Sequence, residues 1–208
     1  MQPPRFIALD GIDGSGKSSQ IQPLADWLRG RGATVTTCRD PGSTAAGDAI
    51  RGILLHRDDL HVAATAEMLL YMAARAQLVS EVIGPALARG EWVVSDRYLL
   101  ANVVYQGHAG GLDRDVIRQV GGVATGGRMP DLVLLLDVDL ETAAQRLDRP
   151  LDKLENRGGD YRERLRRGYL AEAARDPEGI VVIDAAADRD VVADRIRNAL
   201  KLRFPELA

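Results

Sequence analysis

The sequence predicts an α/β fold in which five parallel strands form a doubly wound sheet with helices on both faces. Apolar or β-branched runs alternate with helical patterns along all 208 residues, as in chains that build parallel sheets. The run at 132–136 is Leu-Val-Leu-Leu-Leu, and a strand without polar positions is typical of a parallel sheet covered on both sides. A glycine-rich turn at 11–16 joins the first predicted strand to the first predicted helix.

The first half of the chain contains three predicted strands and three predicted helices. The strands, one of them rich in β-branched residues, are predicted at 5–10, 34–38 and 92–95. The helices, where apolar residues recur at helical spacing, are predicted at 19–31, 45–55 and 62–89. The last of these helices is apolar almost all round, which predicts that it is central and buried.

The second half of the chain continues the alternation. Its two strands are predicted at 132–136 and 180–183. Its helices are predicted at 113–123, 141–147, 161–175 and 190–202.

Between two of these helices, the segment 149–160 is charged and has few apolar anchors. Its cations are Arg149, Lys153 and Arg157, and this composition suits a lid that closes over a transferring phosphate. The alternative, a solvated charged loop, is common on protein surfaces.

The composition is that of one soluble globular domain over 1–208. Hydrophobic residues make up 46% and charged residues 27%, and the net charge is −3. This balance gives no support to a nucleic-acid or membrane surface, and no apolar run is long enough to span a bilayer. Cys38 is the only cysteine, so no intrachain disulfide can form. We therefore expect a cytoplasmic protein without nucleic-acid or membrane partners.

Residues 11–18 form a phosphate-binding motif. They are Gly-Ile-Asp-Gly-Ser-Gly-Lys-Ser and fit G-x-x-x-x-G-K-[ST] at every required position, between a predicted strand and a predicted helix. Glycines let successive backbone N–H groups point at one phosphate, and the helix N-terminus adds its dipole. Lys17 can reach the β- and γ-phosphates, and the Ser18 hydroxyl can ligate Mg²⁺. The motif predicts a nucleoside triphosphate site.

Polar clusters follow four of the predicted strands, where ligands bind in sheets of this class. These clusters are 11–18, 39–42, 96–98 and 184–188. Asp96 is placed like the acidic residue that holds Mg²⁺ through water, although it could also cap a helix. Arg97 beside it could grip a second phosphate with its planar fork, or pair with a local carboxylate.

Tyr71 and Arg75 lie four residues apart, on one face of the apolar helix. The tyrosine ring offers a surface for stacking, and the guanidinium can donate hydrogen bonds to a base carbonyl. The alternative is a core tyrosine beside an arginine that extends to solvent. The pattern alone supports both interpretations equally.

Taken together, these stretches resemble the thymidylate kinase family, nucleoside monophosphate kinases that phosphorylate dTMP with ATP. The resemblance covers nearly the whole chain. Its landmarks are 10–18, 39–42, 74–77, 96–98, Asn102, 105–107, 130–132 and 151–155. Asp96-Arg97-Tyr98 with Tyr105-Gln106-Gly107 is far more specific than the glycine loop alone.

The resemblance implies an ATP:dTMP phosphotransferase that uses Mg²⁺ and is a homodimer. The implied ATP-binding residues are Gly11, Ile12, Asp13, Gly14, Ser15, Gly16, Lys17, Ser18, Ser19 and Arg146. The implied dTMP-binding residues are Asp13, Arg39, Tyr71, Arg75, Arg97, Asn102, Tyr105 and Gln106. The implied catalytic residues are Lys17, Arg97, Arg149 and Lys153, and the implied metal ligands are Ser18 and Asp96, with Asp13 and Glu155 as further candidates.

Within the dTMP set, the resemblance gives six side chains a role. The residue at Asp13 contacts the sugar or the phosphate–metal cluster of the monophosphate. The residue at Arg97 holds the monophosphate, and the ring at Tyr71 stacks on thymine. Arg75 bonds a thymine carbonyl, and Asn102 faces the ring N–H. Tyr105 packs where a ribose 2′-hydroxyl would lie.

The chain departs from the family pattern in three places, one of which is Lys153, where the lid motif often carries arginine. The family's Arg-Glu-Pro-Gly-Gly is Arg-Asp-Pro-Gly-Ser at 39–43, and the glycine loop carries no arginine, so the lid cations would take that role. Two other functions compete. One rival is a small P-loop kinase for a different nucleotide or nucleoside. The other is a nucleotide-dependent switch ATPase, although the Asn-Lys-x-Asp sequence of guanine switches is absent.

Overall fold

A computed structural model describes residues 3–57, 59–147 and 159–207 of the chain, and structural statements refer to these ranges. Within them, five parallel strands form one sheet in the order β2-β3-β1-β4-β5. The strands are β1 Phe6–Asp10, β2 Val35–Arg39, β3 Trp92–Asp96, β4 Leu132–Asp137 and β5 Ile180–Asp184. The predicted fold class is confirmed, and each predicted strand lies within a residue of its observed position.

The helices connect the strands across both faces of the sheet. They are α1 Lys17–Arg29, α2 Ala45–His56, α3 Ala64–Leu78, α4 Gly84–Ala88, α5 Leu99–Asn102, α6 Arg114–Thr125, α7 Leu140–Gln145, α8 Gly159–Arg175 and α9 Arg189–Arg203. A π-helical segment at Val79–Ile83 joins α3 to α4, so the predicted helix at 62–89 is continuous but not uniformly α-helical. None of the helices among the described residues is long and apolar enough to cross a membrane.

A second π-helical segment, Val103–Ala109, continues α5. No helix is predicted here from the sequence. The wider π turn displaces apolar residues from the 3.6-residue period on which the prediction of a helix depends, and such turns are frequent at functional sites.

Alternate residues along the central strands pack into two separate cores, one on each face of the sheet. Phe6 and Ala8 of β1 belong to one core, which also contains residues of α3, α5, α6 and α8. Ile7 and Leu9 belong to the other, which is covered by α1 and α9. This two-sided burial explains why the central strands contain almost no polar residue.

Helix α3 buries only part of its surface. Met68, Met72 and Leu78 are buried, whereas the side chain of Leu69 is 49% exposed. The prediction of a helix buried on all sides is therefore wrong for this face, because α3 packs against α2 and α6 and leaves one side uncovered.

Candidate active site

The carboxyl ends of β2, β3 and β1 lie side by side. Asp96 is paired in register with Arg39 of β2 and with Leu9 of β1. The sheet therefore brings three of the predicted polar clusters to one edge, as expected for a parallel sheet.

The glycine loop after β1 needs glycine at specific positions. Gly11, Gly14 and Gly16 have φ values of 141°, 83° and 90°, which side-chain-bearing residues rarely adopt. A Cβ on Gly14 would lie 2.2 Å from the backbone oxygen of Ala143, and one on Gly11 would lie 2.4 Å from that of Leu136. The loop is thus pressed against the end of β4 and against α7.

Lys17 begins α1 and folds back over the glycine loop. Its Nζ donates to the carbonyl oxygens of Gly11, at 3.0 Å, and of Ile12, at 2.8 Å. Burial and the nearby Arg97 guanidinium lower the pKa of Lys17 to about 8. The ammonium group is therefore held at the loop by two neutral acceptors, which a phosphate could replace.

Next to the loop, the Ser18 hydroxyl donates to Oδ2 of Asp96 at 2.7 Å. Hydroxyl and carboxylate oxygens are ligands that Mg²⁺ accepts, and Mg²⁺ usually completes its shell with water and substrate phosphates. Within the described ranges, no group of three or more His, Cys, Asp or Glu residues could hold a metal by itself. The pair fits a metal ion that arrives with a nucleotide.

Arg97 is the centre of a partly buried polar cluster. Its Nη2 donates to Oδ1 of Asp13 at 2.5 Å and to the Tyr105 hydroxyl at 3.0 Å. Its Nη1 donates to the Tyr169 hydroxyl at 3.0 Å. Burial alone would raise the pKa of Asp13, but Arg97 and Lys17 hold it well below its usual value.

The backbone of Arg97 is itself unusual, with a φ of 70°. A side-chain-bearing residue in this region costs about 1–3 kcal/mol and persists where the surroundings dictate it. Here the carbonyl oxygen of Arg97 accepts a hydrogen bond from Ser95 Oγ at 2.7 Å.

A first cavity lies between α3 and α5, beside Arg97. It is lined by Asp13, Asp40, Pro41, Arg51, Leu55, Tyr71, Arg75, Arg97, Ala101, Asn102, Tyr105 and Gln106. These include every side chain predicted to bind dTMP except Arg39. The topology therefore gathers three separate stretches of the sequence around one space.

Arg75 lies in the wall of this cavity and is buried rather than extended to solvent. Its Nε donates to Oδ2 of Asp40 at 2.5 Å, and the two side chains are 1% and 0% exposed. Its Nη2 donates to the backbone oxygen of Tyr98 at 3.3 Å. The alternative of a solvent-exposed arginine is wrong. Burial raises the pKa of Asp40, which Arg75 opposes.

A hydrogen-bonded chain lines the opposite wall. Asn102 Nδ2 donates to Gln106 Oε1 at 2.7 Å, and Gln106 Nε2 donates to Glu67 Oε1 at 2.9 Å. The Oδ1 atom of Asn102 is buried and has no hydrogen-bond partner among the described residues. This oxygen is an acceptor available to a ligand.

A second cavity adjoins the first on the side of the glycine loop. It is lined by Asp13, Gly14, Gly16, Lys17, Ser18, Ser19, Arg39, Asp40, Arg51, Leu55, His56, Asp96, Arg97, Arg146 and Leu147. Arg146 donates to the backbone oxygens of Ala185, Ala186 and Ala187, so it fixes the loop that follows β5. Gly11, Ile12 and Ser15 are buried within the glycine loop.

Comparison with known proteins identifies the family of the chain. The family model described as thymidylate kinase matches residues 9–196. A thymidylate kinase of Rhodopirellula baltica is 44% identical over 194 residues, which are 93% of this chain and 79% of that protein. One of Desulfosudis oleivorans is 44% identical over 211 residues, covering 97% and 98% of the two chains. The chain belongs to the thymidylate kinase family.

A solved structure agrees with this membership. The thymidylate kinase of Ehrlichia chaffeensis aligns with a TM-score of 0.80 at 25% identity, covering 95% of this chain and 99% of that chain. Membership confirms the predicted enzyme class, a kinase, and the predicted activity, ATP-dependent phosphorylation of dTMP.

Three residues of this thymidylate kinase site were given no role from the sequence, although Asp10 lies within the landmark 10–18. Tyr169 donates to Oδ1 of Asp10 at 2.6 Å, and Asp10 is fully buried beneath Arg97. Arg51 lines both cavities and donates to the backbone oxygen of Pro41 at 3.0 Å. The position of Asp10 at the end of a strand was an available signal, whereas Tyr169 lies 159 positions away and carried none.

Four predicted residues lie outside the part of the chain that the structure describes. They are Arg149, Lys153, Glu155 and Arg157 of the predicted lid. Residues 159 and 160, which were also assigned to the lid, instead begin α8.

Proposed function

We propose that the γ-phosphoryl group passes from ATP in the second cavity to dTMP in the first, with Arg97 at the junction. The observation that carries this proposal is that Arg97, Asp13 and Arg51 line both cavities. A monophosphate gripped by Arg97 would face the terminal phosphate of a nucleotide on the glycine loop. In-line transfer requires this proximity more than it requires a base, because the monophosphate oxygen is already a nucleophile.

On the ATP side, backbone N–H groups of Gly11–Ser18 and the start of α1 would hold the β- and γ-phosphates. Lys17 would exchange its two carbonyl acceptors for phosphate oxygens, where its charge stabilises the transferring group. Ser19 and Arg146 complete the ATP side. We assign Arg149 and Lys153 of the lid to the same group of cations, with Arg157 as the third candidate.

On the dTMP side, the Tyr71 ring would stack on thymine and Arg75 would donate to its 4-carbonyl. The contacts of Arg75 with Asp40 and Tyr98 fix the guanidinium without using all five of its N–H groups. Asn102 would accept from the ring N–H, with Gln106 beside it. Tyr105 would fill the space of a 2′-hydroxyl, and Arg39 would lie towards the phosphates.

Mg²⁺ is the metal that the donor set favours. Ser18 and Asp96 would hold it, and Asp13 and Glu155 are further candidates. When bound, the ion neutralises charge on the phosphates of ATP. The direct hydrogen bond between Ser18 and Asp96 supports this assignment, because it brings two oxygen atoms suited to Mg²⁺ together.

We also propose a cytoplasmic homodimer. Leu69 on α3 and Val116 and Val123 on α6 are exposed apolar side chains on two helices that pack together. Exposed apolar surface of this kind marks interfaces. Light scattering on the purified chain should give twice the mass of one chain, and a monomer at micromolar concentration would contradict the dimer.

A panel assay tests the central proposal. ADP release is measured with ATP, Mg²⁺ and each nucleoside monophosphate in turn. Activity should require a monophosphate and be highest with dTMP. A donor facing the 4-amino group of cytosine leaves a buried polar mismatch, so dCMP should be rejected by about 10⁴-fold in kcat/KM. The thymine methyl contributes less, so dUMP should be a moderate substrate.

The same assay separates the rivals. ATP turnover without any monophosphate would indicate a switch ATPase, and preference for another monophosphate would indicate a different small kinase. Arg75→Ala should lower the ratio of kcat/KM for dTMP to kcat/KM for dCMP. An unchanged ratio would place the base elsewhere.

A further inference from the structure

The first cavity is called the base cavity from here on, because we propose that it holds the base of dTMP. Behind it, a hydrogen-bonded chain of three side chains has a fixed direction from donor to acceptor. Glu67 lies on α3, Asn102 on α5 and Gln106 on the π-helical segment that follows, and all three are buried. They are joined by two hydrogen bonds, from Asn102 to Gln106 and from Gln106 to Glu67. Asn102 and Gln106 line the cavity, whereas Glu67 is not among its described lining residues.

The carboxylate at one end dictates the orientation of both amides. An ionised carboxylate can only accept hydrogen bonds, so Gln106 must turn its Nε2 towards Glu67. Its Oε1 then faces Asn102, which must offer Nδ2. The one polar atom of Asn102 left over is Oδ1, the buried oxygen without a partner among the described residues.

We infer that Glu67 is a positioning residue that makes the base cavity select pyrimidines with a proton on ring nitrogen 3. This inference rests on the proposed assignment of the first cavity to the base of dTMP. Thymine carries that proton and can donate to Oδ1 of Asn102. Cytosine has an acceptor at the same position, so two acceptors would face each other in a buried site. Without the carboxylate, both amides could rotate and present Nδ2, which suits cytosine.

The test is Glu67→Gln, which keeps the shape of the side chain but can donate as well as accept. kcat/KM is measured for dTMP and for 5-methyl-dCMP, which differ only at ring positions 3 and 4. The ratio of kcat/KM for dTMP to that for 5-methyl-dCMP should fall about tenfold, because one oriented buried hydrogen bond is lost. An unchanged ratio would overturn the inference.

The chain offers a matched control on the same continuous helix. Glu81 also accepts a hydrogen bond from a glutamine, Gln77, but this pair is exposed. Glu81→Gln makes the identical chemical change outside the cavity, and should leave both kcat/KM values unaltered.

A double-mutant cycle with Asn102→Ala separates positioning from general structural support. If Glu67 acts through Asn102, Glu67→Gln should have almost no further effect on the ratio once Asn102 is alanine. Additive effects would overturn the positioning role while leaving the cavity assignment intact. A normal kcat/KM for dTMP in Asn102→Ala alone would instead overturn the cavity assignment itself.

A swap variant tests the polarity directly. In Glu67→Gln combined with Gln106→Glu, the carboxylate moves one place along the chain and can accept from both neighbouring amides. Asn102 would again have to turn Nδ2 towards the carboxylate at position 106 and Oδ1 towards the base. Most of the wild-type ratio of kcat/KM for dTMP to that for 5-methyl-dCMP should therefore return. A swap variant as unselective as Glu67→Gln would show that polarity does not set the selectivity.

Discussion

The glycine loop and the base cavity are built by opposite means. The loop uses backbone atoms of eight consecutive residues, and glycines at positive φ give it its shape. The base cavity uses side chains from α3, α5, the loop after β2 and a π-helical segment, held by a buried ion pair and a hydrogen-bonded chain. The first kind of site is formed by consecutive residues and can be recognised from a short stretch of sequence. The second kind is formed only when the fold brings distant residues together.

The two regions also differ in whether a substitution affects activity alone or activity and stability together. Lys17 of the loop donates to two carbonyl groups and lies 4.0 Å from Asp13, which also pairs with Arg97, so the loss of Lys17 leaves no charge unpaired there. Arg75 of the base cavity neutralises a carboxylate that is completely buried, so its loss leaves a charge in the protein interior. Substitutions in the loop should therefore reduce activity, and substitutions in the base cavity should reduce activity and stability together.

The largest expected effect is that of Lys17→Ala. It should lower kcat by about 10²–10³-fold, because a preorganised cation next to the transferring phosphate is removed. Thermal and urea unfolding should change little. Lys201→Ala on α9, which lines neither cavity, is the control and should retain full activity. Near-normal turnover in Lys17→Ala would refute the assignment of the phosphate loop.

The second effect is on stability. Arg75→Ala should lower the free energy of unfolding by about 3–5 kcal/mol, since Asp40 is left buried and unpaired. Combining it with Asp40→Asn should recover part of that loss. Arg39→Ala breaks the exposed pair between Arg39 and Asp48 and should cost at most about 1 kcal/mol. Equal losses in Arg75→Ala and Arg39→Ala, measured by urea unfolding, would contradict the distinction between the two regions.

Two substitutions at Tyr105 separate the role of its hydroxyl group from the role of its ring. Tyr105→Phe keeps the ring but removes the hydroxyl that donates to Asp13 and accepts from Arg97. It should raise KM for dTMP while the ribonucleotide remains a poor substrate. Tyr105→Ala should improve relative use of the ribonucleotide by about tenfold, because space for one extra atom opens. In each variant, kcat/KM for the ribonucleotide is measured relative to kcat/KM for dTMP. Identical ratios in the two variants would show that the ring does not exclude the 2′-hydroxyl.

The smallest expected effect is a pH dependence. Burial lowers the pKa of Lys17 to about 8 in the protein without ligand, and only the protonated amine carries the charge. kcat/KM for ATP reports the free enzyme, so it should fall about tenfold per pH unit above pH 8. Lys17→Arg, whose guanidinium stays charged, should lack this decline. A flat profile in the wild type up to pH 9.5 would show that the amine stays protonated.

Prediction from the sequence succeeded where neighbours in sequence are also neighbours in space. Each strand and the glycine loop could be recognised from short patterns, whereas the pattern at Tyr71 and Arg75 left the roles of these two side chains open. Two hydrogen-bonded pairs could not be recognised, because each joins segments far apart in the sequence. They are Asp10 with Tyr169 and Glu67 with Gln106. The helix at 99–109 was missed because its π turns break the expected period. The roles of the individual side chains in binding remain predictions.

If Arg97 binds the monophosphate as we propose, its contact with Asp13 makes this carboxylate a competitor of the phosphate in the protein without ligand. A free sulfate or inorganic phosphate must displace the Asp13 carboxylate using only its own charge. A nucleotide displaces the same carboxylate with the additional free energy of base and sugar contacts. Under that proposal, the internal carboxylate would select anions by what is attached to them.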